Sequence, residues 1–225
     1  LSSSFEATGR FVLVDEYDVA GGGNITEVVH DEQEGLREAA RQREYAWLTG
    51  DVRAEDRATQ YGHRAAIVLF TGSAQTGKTF LARRVEALLV ADSRHAYLLE
   101  GENLLQGLDA DLSAADPSFA AERVRRYGEV ARLLIDTGLI VVSTSKTFGI
   151  NYQRMAEMIR TLVQPAPVIA VHMSRAGEEP PPNTDLHFAG PQDFDAAARQ
   201  ILEELKRRGV LIQPSGTKST IQYSI

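Results

Sequence analysis

Apolar residues along most of this chain come in short continuous runs and in helical stripes, and the two kinds of segment alternate. Ala65-Ala-Ile-Val-Leu-Phe70 is a run of the length of one strand buried on both faces. Behind it Phe80, Leu81, Val85, Leu88 and Leu89 recur at helical spacing, so a helix comes next. The same reading places strands at 65–70, 95–99, 138–143 and 167–172, and a short one at 185–189. Helices fall near 77–91, 117–137, 150–163 and 192–208. Such alternation predicts an α/β fold, a parallel sheet with helices on both faces.

The texture changes ahead of residue 65. Gly9-Arg-Phe-Val-Leu-Val14 reads as a strand and Gly21-Gly22-Gly23 as a hard break. Alone, that strand exposes edge hydrogen-bonding groups, so it is expected to pair with a neighbouring chain or stay unstructured. Asp31 to Tyr45 is charged and alanine-rich, a solvated helix leading to Trp47, which pins a linker to the α/β domain; 51–64 is a second polar stretch. The organisation is therefore a β segment at 1–30, a linker at 31–64, the α/β domain at 65–210 and a tail at 211–225. Glu178-Glu-Pro-Pro-Pro182 is a loop that cannot be helical.

Between the first core strand and its helix stands Gly72-Ser-Ala-Gln-Thr-Gly-Lys-Thr79, the G-x-x-x-x-G-K-[ST] pattern of a phosphate-binding loop (P-loop). A bare match arises by chance, but strand–loop–helix is the context the chemistry needs. Amides of Gly72, Ser73, Ala74, Gln75, Thr76 and Gly77 and the helix N-terminus cradle phosphate, Lys78 reaches the β and γ oxygens, and the Thr79 hydroxyl can ligate Mg²⁺. A plain glycine turn with a solvated lysine leaves the placement of Lys78 and Thr79 unexplained. Glu100 and Glu102, two apart at the end of the second core strand, are expected at the crevice where open α/β sheets bind ligands, as base and as outer metal partner. His63, His95, His172 and His187 lack metal-ligand spacing and read as structural or surface residues.

Composition narrows the partners. With a net charge of -7 the surface is not one that coats nucleic acid, because duplex binding rests on Lys and Arg neutralising phosphates. No run is long enough to span a bilayer as a helix, and a cytoplasmic setting is expected. Zero cysteines exclude a disulfide framework and a thiolate zinc site. The sequence starts at Leu1 rather than Met, as a piece of something longer would.

Residues 51–209 resemble the adenylyl-sulfate (APS) kinase family. The likeness is carried by Gly62-His63, the phosphate loop, Tyr97-Leu-Leu-Glu-Gly-Glu-Asn103, Gly107-Leu108, Asp111-Leu112, Glu122-Arg-Val-Arg-Arg126, Glu129-Val-Ala131 and Asp136-Thr-Gly-Leu-Ile-Val141. Upstream, Gly9 to Gly23 looks like the last strands of the GTPase-type large subunit of sulfate adenylyltransferase, an order similar to that of fused bacterial sulfate-activating proteins. The resemblance implies a P-loop kinase-type sheet, ATP/ADP and Mg²⁺ as cofactors, and phosphoryl transfer from ATP to the ribose 3′-hydroxyl of adenylyl sulfate. It implies Asn103, Arg125 and Arg126 as substrate-binding residues. Sulfate adenylyltransferase subunits and a second copy of the chain are the protein partners it suggests.

The chain also departs from the family pattern. Asp-Gly-Asp-Asn becomes Glu100-Gly101-Glu102-Asn103, and the middle loop glycine is Gln75, where a side chain resists positive φ. Leu105 and Ala120 stand where the family has Arg, and Arg123 where it has Asn. Ser145-Lys146-Thr147 replaces an Ile-Ser-Pro turn, and Gly149 a further Arg. After Val168-Ile-Ala-Val-His-Met173 the family inserts a lid of about two dozen residues, whereas this chain runs only from Ser174 to Asn183; a closing lid excludes water and completes the site. The chain is therefore expected to be either a working adenylyl-sulfate kinase or a degenerate domain that keeps nucleotide binding and serves as a regulatory module of a sulfate-activating complex.

Overall fold

Seven consecutive residues of the central strand, Ala66–Gly72, are buried, and the remainder of the sheet is built outwards from them. The computed structural model describes residues 10–15, 18–24, 47–48, 50–116, 118–144, 152–190 and 193–212. The chain divides into two compact units, Leu1–Ala39 and Ala40–Ile225. In the first, β1 (Arg10–Asp15) pairs antiparallel with β2 (Asp18–Asn24). Gly21, Gly22 and Gly23 are thus not a break. They stand opposite Leu13, Val12 and Phe11 in the ladder, which needs only backbone groups. One edge of β1, expected to pair with a neighbouring chain or stay unstructured, is instead paired with β2 of the same chain. The helix expected at 31–45 lies outside the described residues.

In the second unit the order is α1 (Ala54–Tyr61), β3 (Ala66–Gly72), α2 (Lys78–Ala91), β4 (Ala96–Glu100), a 3-10 turn (Gly101–Leu104) and α3 (Phe119–Asp136). Then come β5 (Ile140–Thr144), α4 (Tyr152–Leu162), β6 (Val168–Ser174), β7 (Leu186–Ala189) and α5 (Phe194–Arg207). The five strands β3 to β7 form one parallel sheet in the order β4-β5-β3-β6-β7. Helices cover it, as the alternation of patterns predicts.

On one side Leu81, Ala82, Val85 and Leu89 of α2 and Ala197, Ala198, Ile201 and Leu205 of α5 pack on alternate residues of β3, Ala66, Val68 and Phe70. Full burial of each large aliphatic side chain is worth about 1.5–3 kcal/mol, so this layer is a main source of the fold's stability. Elsewhere α3 and α4 meet at Gly128, where a Cβ would lie 2.4 Å from Leu162 Cδ1. α5 starts cleanly because the Asp193 carboxylate accepts from the amides of Asp195 and Ala196.

The polar stretch 51–64 holds α1, which ends at Gly62 in the left-handed region and buries only Ala58. Beside it the buried His63 accepts from the His95 amide at Nε2 (2.9 Å), and its Nδ1 lies 3.2 Å from Arg64 O. Trp47 lies under the Arg132 guanidinium, 5.3 Å from ring centroid to Cζ. Val210 and Leu211 belong to the core, and Leu211 bridges to His63, so the packed unit runs past residue 210. Among the described residues no helix is long and apolar enough to cross a membrane.

Candidate nucleotide site

The site grows from the C-terminal ends of β3, β4, β5 and β6. Gly72 closes β3 at φ +121°, so near β6 that a Cβ there would sit 1.9 Å from the Met173 carbonyl oxygen. The Ser73 amide donates to that same oxygen at 3.0 Å. The chain then arches through Gln75 (φ +63°) and enters α2 at Gly77 (φ +89°), where the Phe194 ring leaves no room for a Cβ. The left-handed demand expected at Gln75 is met by a side chain that resists it.

Lys78, at the first position of α2, is 8% exposed and folds back into the loop. Its ammonium donates to Gly72 O at 2.9 Å and Ser73 O at 2.5 Å. Burial pulls its pKa down, while the charge of Glu102 opposes that shift. Thr76 Oγ1 donates to Ser73 O at 2.9 Å. Thr79 is next, on the first turn of α2, partly exposed, and its hydroxyl makes no hydrogen bond among the described residues. The loop amides, the Lys78 ammonium and the N-terminus of α2 thus converge on one concave surface, the arrangement that suits an anion.

The two carboxylates do not behave as a strand pair. β4 stops at Glu100, and Glu102 lies in the 3-10 turn, so the i, i+2 rule for a strand does not apply. Glu100 is held by Arg83 of α2 at 3.1 Å. Glu102 is the carboxylate whose charge reaches Lys78. Beneath both, the buried Tyr127 hydroxyl donates to Leu99 O (2.7 Å) and lies 2.6 Å from Ser143 Oγ, tying the ends of β4 and β5 together; burial pushes its pKa up.

Asn103 is exposed on the 3-10 turn. Arg125 makes two bonds of 2.7 Å to Glu122, and Arg126 bonds Glu122 at 2.9 Å, Asp111 Oδ2 at 2.9 Å and the Leu108 carbonyl. These guanidiniums hold the Glu122 carboxyl down at a pKa of about 2. Arg123 forms a buried pair with Asp109 at 3.5 Å. An anion in this region has to share or displace those carboxylates. Segments 145–147 and 149, singled out in the sequence, lie outside the described residues. Strands β6 and β7 are joined by residues 175–185 alone, without a long lid.

Sequence reasoning missed Arg83, Tyr127, His172, Glu178 and Phe194. His172 lies within β6, where only its place near the strand's C-terminal end hinted at it; its Nδ1 lies 2.9 Å from Thr71 Oγ1, and burial, with His187 and Lys78 nearby, lowers its pKa. Among the described residues no cluster of three His, Cys, Asp or Glu could hold a metal.

A five-stranded parallel sheet with this loop after its central strand, and a lysine bound to the loop's own carbonyls, defines a P-loop nucleotide-binding protein of the kinase type. The sequence profile of adenylylsulphate kinase matches residues 64–180, just over half of the chain. An adenylyl-sulfate kinase of Yersinia pestis is 29% identical over 194 residues, 73% of this chain and 89% of its own length. The bifunctional enzyme NodQ of Rhizobium sp. strain N33 is 33% identical over 174 residues, 76% of this chain, which spans only 25% of NodQ. The solved APS kinase CysC of Mycobacterium tuberculosis aligns with a TM-score of 0.56 at 29% identity, covering 64% of this chain and 99% of that one. A second structure of it, in complex with AMPPNP and APS, aligns at 0.54 and 24% identity. The chain belongs to the adenylylsulphate kinase family.

Proposed function

We propose that this chain transfers the γ-phosphoryl group of ATP to the ribose 3′-hydroxyl of adenylyl sulfate. The observation that carries the reading is the buried Lys78, already bound to the carbonyls of Gly72 and Ser73 at the mouth of a formed phosphate loop. In this scheme amides of residues 72–77 hold the β-phosphate and Lys78 neutralises charge on the β and γ oxygens. The Thr79 hydroxyl would help hold a Mg²⁺, which would supply positive charge against the developing charge on the phosphates. Glu102 is the better placed general base, since its charge already reaches Lys78, whereas Glu100 keeps Arg83 at the rim. Asn103, Arg125 and Arg126 form the acceptor side, with both arginines exchanging intrachain carboxylates for the anionic substrate.

Those same ion pairs favour a second reading, nucleotide binding without transfer: a pocket whose arginines are neutralised within the chain grips a phosphosulfate anhydride less well. We also place the chain in the cytoplasm, acting with sulfate adenylyltransferase, fused or as a subunit, which the likeness to bifunctional NodQ supports. The deciding experiment measures ADP and 3′-phosphoadenylyl sulfate together from ATP, Mg²⁺ and adenylyl sulfate, with Lys78→Ala as control. Lys78-dependent formation of both products supports the transfer. ATP uptake by calorimetry without either product leaves the second reading standing.

A further inference from the structure

The short segment between β6 and β7 touches the phosphate loop through a carboxylate. Ser73 Oγ donates to Glu178 Oε2 at 2.6 Å, and the same oxygen accepts the Arg175 amide at 3.0 Å. Gly177, at φ +84°, makes the turn that brings Glu178 back towards the loop. The base of that turn is anchored at Ser174, whose Oγ lies 3.2 Å from Glu178 O and 2.8 Å from His187 Nε2. Glu178 is thus held from both its backbone and its side chain, although it is exposed to solvent.

The residue it grips is one whose carbonyl holds Lys78. The loop does not need this contact for its shape. Ser73 N to Met173 O, Thr76 Oγ1 to Ser73 O and both lysine bonds hold it without involving Glu178. What Glu178 adds is a fixed negative charge and an occupied hydroxyl at the rim of a site built for polyphosphate. A carboxylate and a phosphate compete for the same donors and repel one another.

We propose that Glu178 is a brake on nucleotide binding: its carboxylate occupies the Ser73 hydroxyl in the empty protein, and a polyphosphate has to displace it. The inference rests on the reading of residues 72–79 as a nucleotide-binding loop. The neighbouring Glu179 is exposed and makes no hydrogen bond or ion pair among the described residues, so it serves as the charge control.

The test is calorimetric titration of the 225-residue chain with ATP and Mg²⁺, comparing wild type with Glu178→Gln, Glu178→Ala and Glu179→Gln. Melting curves without nucleotide verify that each variant is folded. Both Glu178 variants are expected to bind about tenfold tighter than wild type, equivalent to about 1.4 kcal/mol. Glu179→Gln should change affinity less than about twofold, and the Glu178 advantage should shrink as salt screens the charge. Equal or weaker binding by either Glu178 variant overturns the brake, and so does an equal gain from Glu179→Gln. If neither wild type nor the variants take up ATP, the nucleotide reading of the loop falls, and the brake with it.

Discussion

Gln75 stands at the apex of the phosphate loop at φ +63°, exposed, with no side-chain hydrogen bond among the described residues to offset its backbone. A left-handed conformation costs an L-residue roughly 1–2 kcal/mol relative to its usual regions. Glycine removes that cost but loses more freedom on folding, roughly 0.5–1 kcal/mol. The difference predicts that Gln75→Gly stabilises the protein by about 0.5 kcal/mol. In a domain of this size that raises Tm by about 1–2 °C. Gln75→Ala keeps the Cβ and therefore the strain, and should gain nothing. Differential scanning calorimetry of the three proteins without nucleotide decides the matter. A lower Tm for Gln75→Gly, or an equal gain for Gln75→Ala, refutes the argument that backbone strain is stored at this position.

Lys78→Met should leave the melting temperature nearly unchanged, because it removes a charge that burial already disfavours. It should weaken ATP binding by about two orders of magnitude, the worth of one or two charge-assisted hydrogen bonds, read by calorimetry. His63 is held neutral by burial, its pKa below the usual 6.5, so its contribution to stability is complete above pH 6.5 and is lost as pH falls below it. Urea midpoints between about pH 7.5 and 5 should decline, and less steeply in His63→Gln; an unchanged slope would count against a buried neutral imidazole. Gly128→Ala sets a helix-propensity gain of about 0.8–1 kcal/mol against overpacking on Leu162 of about 1–3 kcal/mol. Chemical denaturation should show a net loss, and a more stable variant would mean that α3 and α4 can separate freely.

All five strands of the large sheet were legible in the sequence: β3, β5 and β6 because a strand buried on both faces is a continuous apolar run, as Ile67 to Phe70 shows, and the partly exposed edge strands β4 and β7 as shorter, mixed runs. The phosphate loop was legible because its glycines and lysine are required by backbone geometry and charge. α1 was not, since it buries a single alanine and leaves no stripe. Nor was β2, whose glycines contribute to the hairpin through backbone bonds that carry no hydrophobic signal. That Glu102 follows the second core strand was legible but its geometry was not, because nothing local marks where β4 ends and the 3-10 turn begins. Glu178 and Phe194 were invisible: their partners Ser73 and Gly77 are more than one hundred residues away, and only the folded sheet brings them together.

The placement of β3 at the centre of the sheet also bears on how the protein is made. Its two neighbours, β5 and β6, are synthesised long after it, and Gly72 and Ser73 close against Met173. On the ribosome the most apolar strand therefore emerges about a hundred residues before the partner that shapes the loop behind it. Such long-range pairing makes for slow folding and a period in which apolar surface is exposed. The loop between β3 and α2 cannot take its final shape until the sixth strand has left the exit tunnel.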